Sequence, residues 1–572
     1  MLHPMEFIRR ISDSCKVGIC DPNLKVAFKM EQSLNALTQI QRFVSKNDGQ
    51  RALKIIKQQQ VDGTLSDTFA NVTSYLVAQI NEARSKDDIL LSDCAQEVLE
   101  GIAEECDPED TLLQLMEHIE KTTYDRVFLI LTKVLLKVLL RIPKNRLNSL
   151  GWGLNAVHSY IKRIEITNAN VSEDNDDDEV VARISFLLSS LLPFYTTLIE
   201  QMRNSDEGIK MVALKFALSL FGRPTALLDL KTKDIISEAR RVSETLINQI
   251  FKLNSDIYLF LDVDPNHDVG HVNLLALGTL YYLVLAERVM IEKLPKVYDN
   301  VYVFQKALPL VIELLSHENQ FTQHNGLHLI KVLINGVTNC NLSYHLLDSE
   351  HHCHFCKTLV SVSTYNQSTS VRKTSLEIFR KYLFLFDSKG RYLLIYNLMR
   401  FLNHTGIIGF IITQYKDMIM QEFDKPTLSE YFHNLNLYKI LDIFCHLRHR
   451  EESDLIELTD QIVASLNLLR FLAIKDISNK TGIWENYFKK LQKGYLNDLK
   501  KGLILSRAHY EMKIKDVQEE QAGKGESVSM MIEGQLVTRM PPEEKIDFLQ
   551  LALTSFDMIE NLLSYLNQVI EP

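Results

Sequence analysis

The chain has 572 residues, with 63 Lys and Arg against 73 Asp and Glu, for a formal net charge of −10. That length exceeds one compact core, and a negative chain without a basic block of five residues speaks against nucleic acid as a partner. Hydrophobic content of 46% with 24% charged residues excludes wholesale disorder.

Few breakers interrupt the helical periodicity, since 21 Gly and 13 Pro are about half the ~12% share of an ordinary globular chain. At the start, MLHPMEFIRRISDS carries charges where a signal peptide needs an apolar core, and reads as part of the mature fold. Helix-length apolar blocks follow at 26–44, 65–80, 89–102, 112–119, 124–142, 147–166, 180–202 and 209–221, close enough in sequence to pack as antiparallel pairs. The longest apolar run, 127–140, is broken by Lys133 and Lys137 and is shorter than the ~20 residues of a membrane span, so no membrane is expected.

The acid-rich run 167–179 (TNANVSEDNDDDE) reads as a solvated loop, with docking of a basic partner as its functional alternative. At 222–234, GRPTALLDLKTKD supplies the Gly and Pro that divide units. We therefore expect a helical region over 1–222 and a second over 232–572. Further helices are predicted at 235–260, 272–292, 303–315, 322–334, 355–362, 371–386, 392–402 and 407–420, with no alternating pattern that would make a sheet. Paired helices without a strict repeat point to an all-α fold of irregular HEAT-like repeats, an α-solenoid in two helical units. A multi-helix bundle is the alternative.

Searches for chemistry return little. Cys340, His345, His351, His352, Cys353, His354 and Cys356 include a C-x-x-C pair, but their second pair has the wrong spacing for a structural zinc site. Cys445, His446 and His449 form a still weaker cluster. LDVDPNHDVG imitates a calcium loop, yet His267 stands where Gly is needed and Asn273 where Glu is needed. AGKGES at 522–527 lacks the spacing of a phosphate loop. No metal, nucleotide or other cofactor is assigned. The eight cysteines are thinly spread, as suits reduced thiols in the cytosol or nucleus.

The carboxy-terminal third is the most distinctive. Leu455, Leu458, Ile462, Leu466, Leu469 and Leu472 recur at steps of three and four and form one apolar stripe. Asn467 and Arg470 fall off that stripe, one turn apart. A second helix over 497–521 places Leu499, Leu503, Ser506, Tyr510, Ile514 and Val517 on its inner line, with Arg507 free to pair with Glu511. The last helix opens at Pro541-Pro542-Glu543-Glu544, and Ile546, Leu549, Leu553, Phe556, Ile559, Leu563, Leu566 and Ile570 keep the period. Trp484, one of two tryptophans, is expected to be packed rather than offered to a partner.

The strings ASLNLLRFLAIKD, TGIW, SRAHYEMKIK, MPPEE and FDMIENLL, with a weaker match through 372–414, resemble the carboxy-terminal region of the glomulin family. That resemblance implies a non-catalytic inhibitor that binds the RING subunit of cullin–RING ubiquitin ligases, and through it the cullin complex. It would block docking of the ubiquitin-conjugating enzyme. Positions inside the matching strings that should reach solvent are Asn467, Arg470, Lys475, Asp476, Arg507, His509 and Lys513; these are the candidate partner-binding residues. A monomer in the cytosol or nucleus is expected. The alternatives are a generic HEAT-like scaffold with another protein partner and an unrecognised hydrolase or transferase.

Overall fold

The computed structural model describes residues 34–570 apart from 62–64, 87, 143–145, 165–175, 232–235, 262–272, 339–340, 522–530, 533–534 and 537–540. The chain forms two compact units, Met1–Val332 and Leu333–Pro572.

In the first unit the chain runs through α1 (34–44), α2 (Gly49–Val61), α3 (Leu65–Lys86), α4 (Ile89–Glu105), α5 (Pro108–Lys121), α6 (Asp125–Arg141), α7 (Arg146–Lys162), α8 (Asp176–Met202), α9 (Glu207–Ser219), α10 (Glu238–Leu253), α11 (Leu274–Tyr281), α12 (Asn300–Ser316) and the greater part of α13 (Gln320–Val337). From α2 to α11 each helix packs on its second neighbour, so even-numbered helices α2 to α10 form one layer and odd-numbered helices α3 to α11 the other. This is the two-layer stack expected of HEAT-like repeats, in which each helix buries faces only its neighbours can cover.

Side-chain caps fix where these helices start, α5 at Pro108 rather than the expected 112 and α10 at Glu238 rather than 235. Asp107 accepts from the backbone N–H of Glu109 (2.9 Å) and Asp110, with Pro108 as the first helical residue. Asp88 and Ser237 cap α4 and α10 in the same way. The stack is tied by a few long-range polar contacts. Arg183 grips Asp125 with two hydrogen bonds (2.6 and 2.8 Å), and the Tyr160 hydroxyl donates to the same carboxylate.

Three expectations need amendment here. Helix α8 contains a stretch, Glu179–Met202, long and apolar enough by length and composition to cross a membrane, longer than the run singled out in the sequence. Its Ile184, Leu187, Leu188, Leu191, Tyr195 and Leu198 are buried while Val181 and Phe186 are exposed, and α8 packs against α6 and α10. The acidic run, expected to be a loop, is helical from Asp176; residues 165–175 lie outside the described residues. The Gly-Pro joint, where the sequence places the division between units, lies inside the first compact unit, whose limit is Val332. Thr225, Ala226 and Leu227 are buried in a short 3-10 turn, and the Thr322 hydroxyl of α13 donates to the Ala226 carbonyl (2.9 Å).

The second unit contains α14 (Glu350–Tyr365), α15 (Thr369–Phe384), α16 (Ser388–Met399), α17 (Thr405–Phe423), α18 (Asn434–Phe444), α19 (Thr459–Lys475), α20 (Tyr487–Leu491), α21 (Asn497–Gln521) and α22 (Pro542–Ile570). Helices α14 and α15 pair, α17 packs along α19, and α22 returns to pack on both α19 and α21. A two-residue antiparallel ladder, Met531–Ile532 against Gln535–Leu536, lies between α21 and α22 in sequence. The all-α class stands.

The predicted inner lines hold. Leu455, Leu458, Ile462, Leu466, Leu469 and Leu472 are all buried, as are Leu549, Phe556, Ile559, Leu563, Leu566 and Ile570 of α22, whereas Ile546 and Leu553 of the same predicted line are half-buried. On α21 the line is buried at Leu499, Leu503 and Val517, while Ser506, Tyr510 and Ile514 are half-buried.

Candidate partner-binding surface

The distinctive strings divide into residues that build the second unit and residues that it presents. TGIW belongs to the first kind. Asp476, fully buried, accepts from the backbone N–H groups of Lys480 (2.7 Å) and Thr481 (2.9 Å) and from the Thr481 hydroxyl. Gly482 follows with φ +79°, and a Cβ there would stand 2.2 Å from the Asn434 side-chain oxygen. A side chain is excluded by backbone conformation and by space at once. The Tyr438 hydroxyl donates to the Gly482 carbonyl (2.7 Å), locking the turn onto α18.

Asp476 is therefore corrected: it does not reach solvent, because its carboxylate is spent on the backbone of this turn. Trp484 is half-buried, edge-on to Phe488 with ring centroids 4.8 Å apart, and its indole nitrogen is buried without a hydrogen-bond partner among the described residues.

Helix α19 presents the other kind of residue. It lies close on α17 because Gly409 carries no Cβ, which would come within 2.7 Å of the Asp460 carbonyl oxygen. An open groove runs along this contact, lined by Phe410, Thr413, Lys416, Asp460 and Asn467. One turn beyond Asn467 stands Arg470, half-buried, its guanidinium 5.3 Å from the Tyr565 ring centroid of α22. Its Nε is buried with no hydrogen-bond partner, and no carboxylate lies within ion-pair distance among the described residues. A guanidinium held against an aromatic ring and without an ion pair among the described residues has the chemistry to take a carboxylate. Lys475 is exposed at the end of the same helix, beside Ile474 and Ile477, which are 49% and 88% exposed.

The three candidates on α21 do not join this face. Arg507 is occupied: its guanidinium bonds Asp557 (2.7 Å) and Glu560 (2.8 Å), so the partners are two acids of α22 rather than Glu511. The Asp557 hydrogen bond, then its charge and that of Glu560, outweigh burial and raise the Arg507 pKa. His509 is exposed, and two residues along a helix do not share a face with Arg507. Lys513 sits 5.6 Å over the Tyr510 ring. Beneath, Tyr510 packs edge-on to Phe556 of α22 (5.4 Å).

What the sequence reading missed is on α22. Leu551, Met558 and Tyr565 are 65%, 43% and 50% exposed. Their seven-residue spacing, off the buried line, was the available signal.

The candidate metal cluster does not assemble among the described residues. Cys353 is exposed and Cys356 buried on α14, and His352, also buried, shares a hydrogen bond with Tyr382. Among the described residues no group of three metal-ligating side chains converges. Cys340, the calcium-like loop at 262–272 and AGKGES lie outside the described residues.

Residues 274–547 match the sequence model of a family described as an uncharacterised protein family, YAP/Alf4/glomulin. The chain is 28% identical to glomulin of Mus musculus over 493 residues and 28% identical to glomulin of Homo sapiens over 491, in each case 82% of both chains. The chain resembles glomulin over most of its length. The glomulin likeness thus extends well beyond residue 372, where the matching strings begin. The crystal structure of Kap121p aligns with 98% of this chain and 65% of its own at 11% identity and a TM-score of 0.21. That of Kap121p bound to Pho4p aligns with 96% of this chain and 64% of its own at 12% identity and a TM-score of 0.19. The fold class rests on the helices themselves.

Proposed function

We propose that the chain is a non-catalytic inhibitor of cullin–RING ubiquitin ligases, binding the RING subunit through its carboxy-terminal helices and covering the face where the ubiquitin-conjugating enzyme docks. The glomulin likeness supplies the reading, and the surface around Arg470 is the observation that carries it. There a guanidinium without an ion pair among the described residues, Asn467, Lys475 and exposed Ile474 and Tyr565 come together on packed helices. Inhibition by occlusion needs no reactive group. It needs an interface of about 1,600 Å² whose lifetime outlasts the smaller, transient encounter it displaces. Free thiols at Cys94, Cys106, Cys353, Cys356 and Cys445 suit work in the cytosol or nucleus.

The test is binding of the full chain to a purified RING subunit, with ubiquitin transfer as second readout. Arg470→Glu is expected to weaken binding at least about tenfold and to restore transfer while leaving the melting temperature unchanged. Arg507→Glu is unsuited to this purpose, because it would place three acids together between α21 and α22. Full binding and inhibition by a well-folded Arg470→Glu chain would remove Arg470 from the interface. Absence of any RING binding by the unmodified chain would favour a scaffold with another protein partner.

A further inference from the structure

The last helix carries a second apolar line beside the one it buries. Leu551, Met558 and Tyr565 are exposed at intervals of seven, the spacing that returns side chains to one seam of a helix. Thr554, Ser555 and Asn561 flank them without charge. The two acids of this stretch, Asp557 and Glu560, turn the other way, onto Arg507. Charge appears only at the ends of the stripe, and with opposite sign. Arg470 stands at the Tyr565 end, 5.3 Å from its ring and without an ion pair among the described residues. Asp547 and Glu544, both exposed and likewise without an ion pair among the described residues, stand one and two turns beyond Leu551.

We propose that this stripe is a self-complementary interface and that two copies of the chain pair their α22 helices antiparallel, with a two-fold axis at Met558. The geometry commits to a second copy because the pattern is symmetric about its own centre. Met558 then faces Met558, Leu551 faces Tyr565 of the second copy, and each Arg470 reaches the acids at the far end of the other α22. An isologous contact satisfies both ends at once. A partner without this mirrored order would leave a charge facing apolar surface. Two helix faces of this length bury less than the ~1,200 Å² of a stable complex, so the dimer is expected to be concentration-dependent. The inference is independent of the RING reading, although Arg470 and Tyr565 serve in both, so that the two complexes exclude one another.

Sedimentation equilibrium of the full chain from micromolar to submillimolar concentration tests it. The unmodified chain is expected to show a monomer–dimer equilibrium. Met558→Lys, which sets two like charges on the axis, should leave only monomer with an unchanged melting temperature. Arg470→Glu should weaken association about tenfold, and Arg470→Glu with Asp547→Arg in the same chain should restore it to within about threefold, because a two-fold contact returns both swapped pairs. Under mild oxidation Met558→Cys should cross-link to itself, whereas Ile504→Cys on α21 should not. A monomer at every concentration overturns the proposal. So does a dimer indifferent to Met558→Lys, failure of the double exchange to restore association, or cross-linking through Cys at 504 in place of 558.

Discussion

At the scale of single residues, the second unit depends on groups whose ionisation or pairing is fixed by burial. His352 is 2% exposed, shares a hydrogen bond with the Tyr382 hydroxyl, and burial lowers its pKa to about 4. Its unfolded value is ~6.5, so between these values the unfolded chain holds the extra proton and stability falls as pH falls. Full stability is present above about pH 6.5, and by pH 5 the loss from this residue is about 2 kcal/mol. Urea denaturation at pH 7 and pH 5 should show a smaller loss for His352→Gln than for the unmodified chain; equal losses would mean that the imidazole is charged in the fold. Arg507 illustrates the same dependence on context. The sequence offered Glu511 as its partner one turn away, and only the return of α22 brought Asp557 and Glu560 closer.

At the scale of elements, helices were legible because their apolar residues recur with the helical period, and the inner lines of α19 and α22 are buried as read. Closeness of approach was not legible. Nothing in the string NHTGIIGF says that Gly409 lies against the Asp460 backbone of α19. Gly409→Ala is expected to force α17 and α19 apart and to cost about 1–3 kcal/mol, read as a lowered melting temperature. The exposed neighbour Thr413→Ala should be nearly silent. TGIW was conspicuous as a string, and it is now explained as a turn in which a buried carboxylate and a left-handed glycine fix the chain. Its distinctiveness reflects folding rather than contact with a partner, and that is why Asp476 was misplaced among the binding candidates.

At the scale of the whole molecule, the second unit is closed by a helix that arrives last in sequence. Removing residues 542–572 would expose the faces of α19 and α21 that Leu549, Phe556, Ile559, Leu563 and Leu566 cover. At about 1.5–3 kcal/mol for each buried apolar side chain, that loss exceeds what a marginally stable unit can bear. The truncated chain is expected to lose its cooperative melting transition and, with it, RING binding. A truncated chain that melts cooperatively at the same temperature would show α22 to be an appendage.

The sequence by itself determined the all-α class, the positions of most helices and the lines they bury, because these follow from periodicity and local capping. It also carried the glomulin resemblance, since that lies in strings of consecutive residues. Only the tertiary structure decided which off-stripe residues are available. Arg470 was left beside Tyr565 without an ion pair among the described residues, Arg507 was taken up by acids some fifty residues away, Asp476 was drawn inside, and Leu551, Met558 and Tyr565 were left outside. Availability is set by which helix returns to cover which face, and a helix's own period does not contain that information.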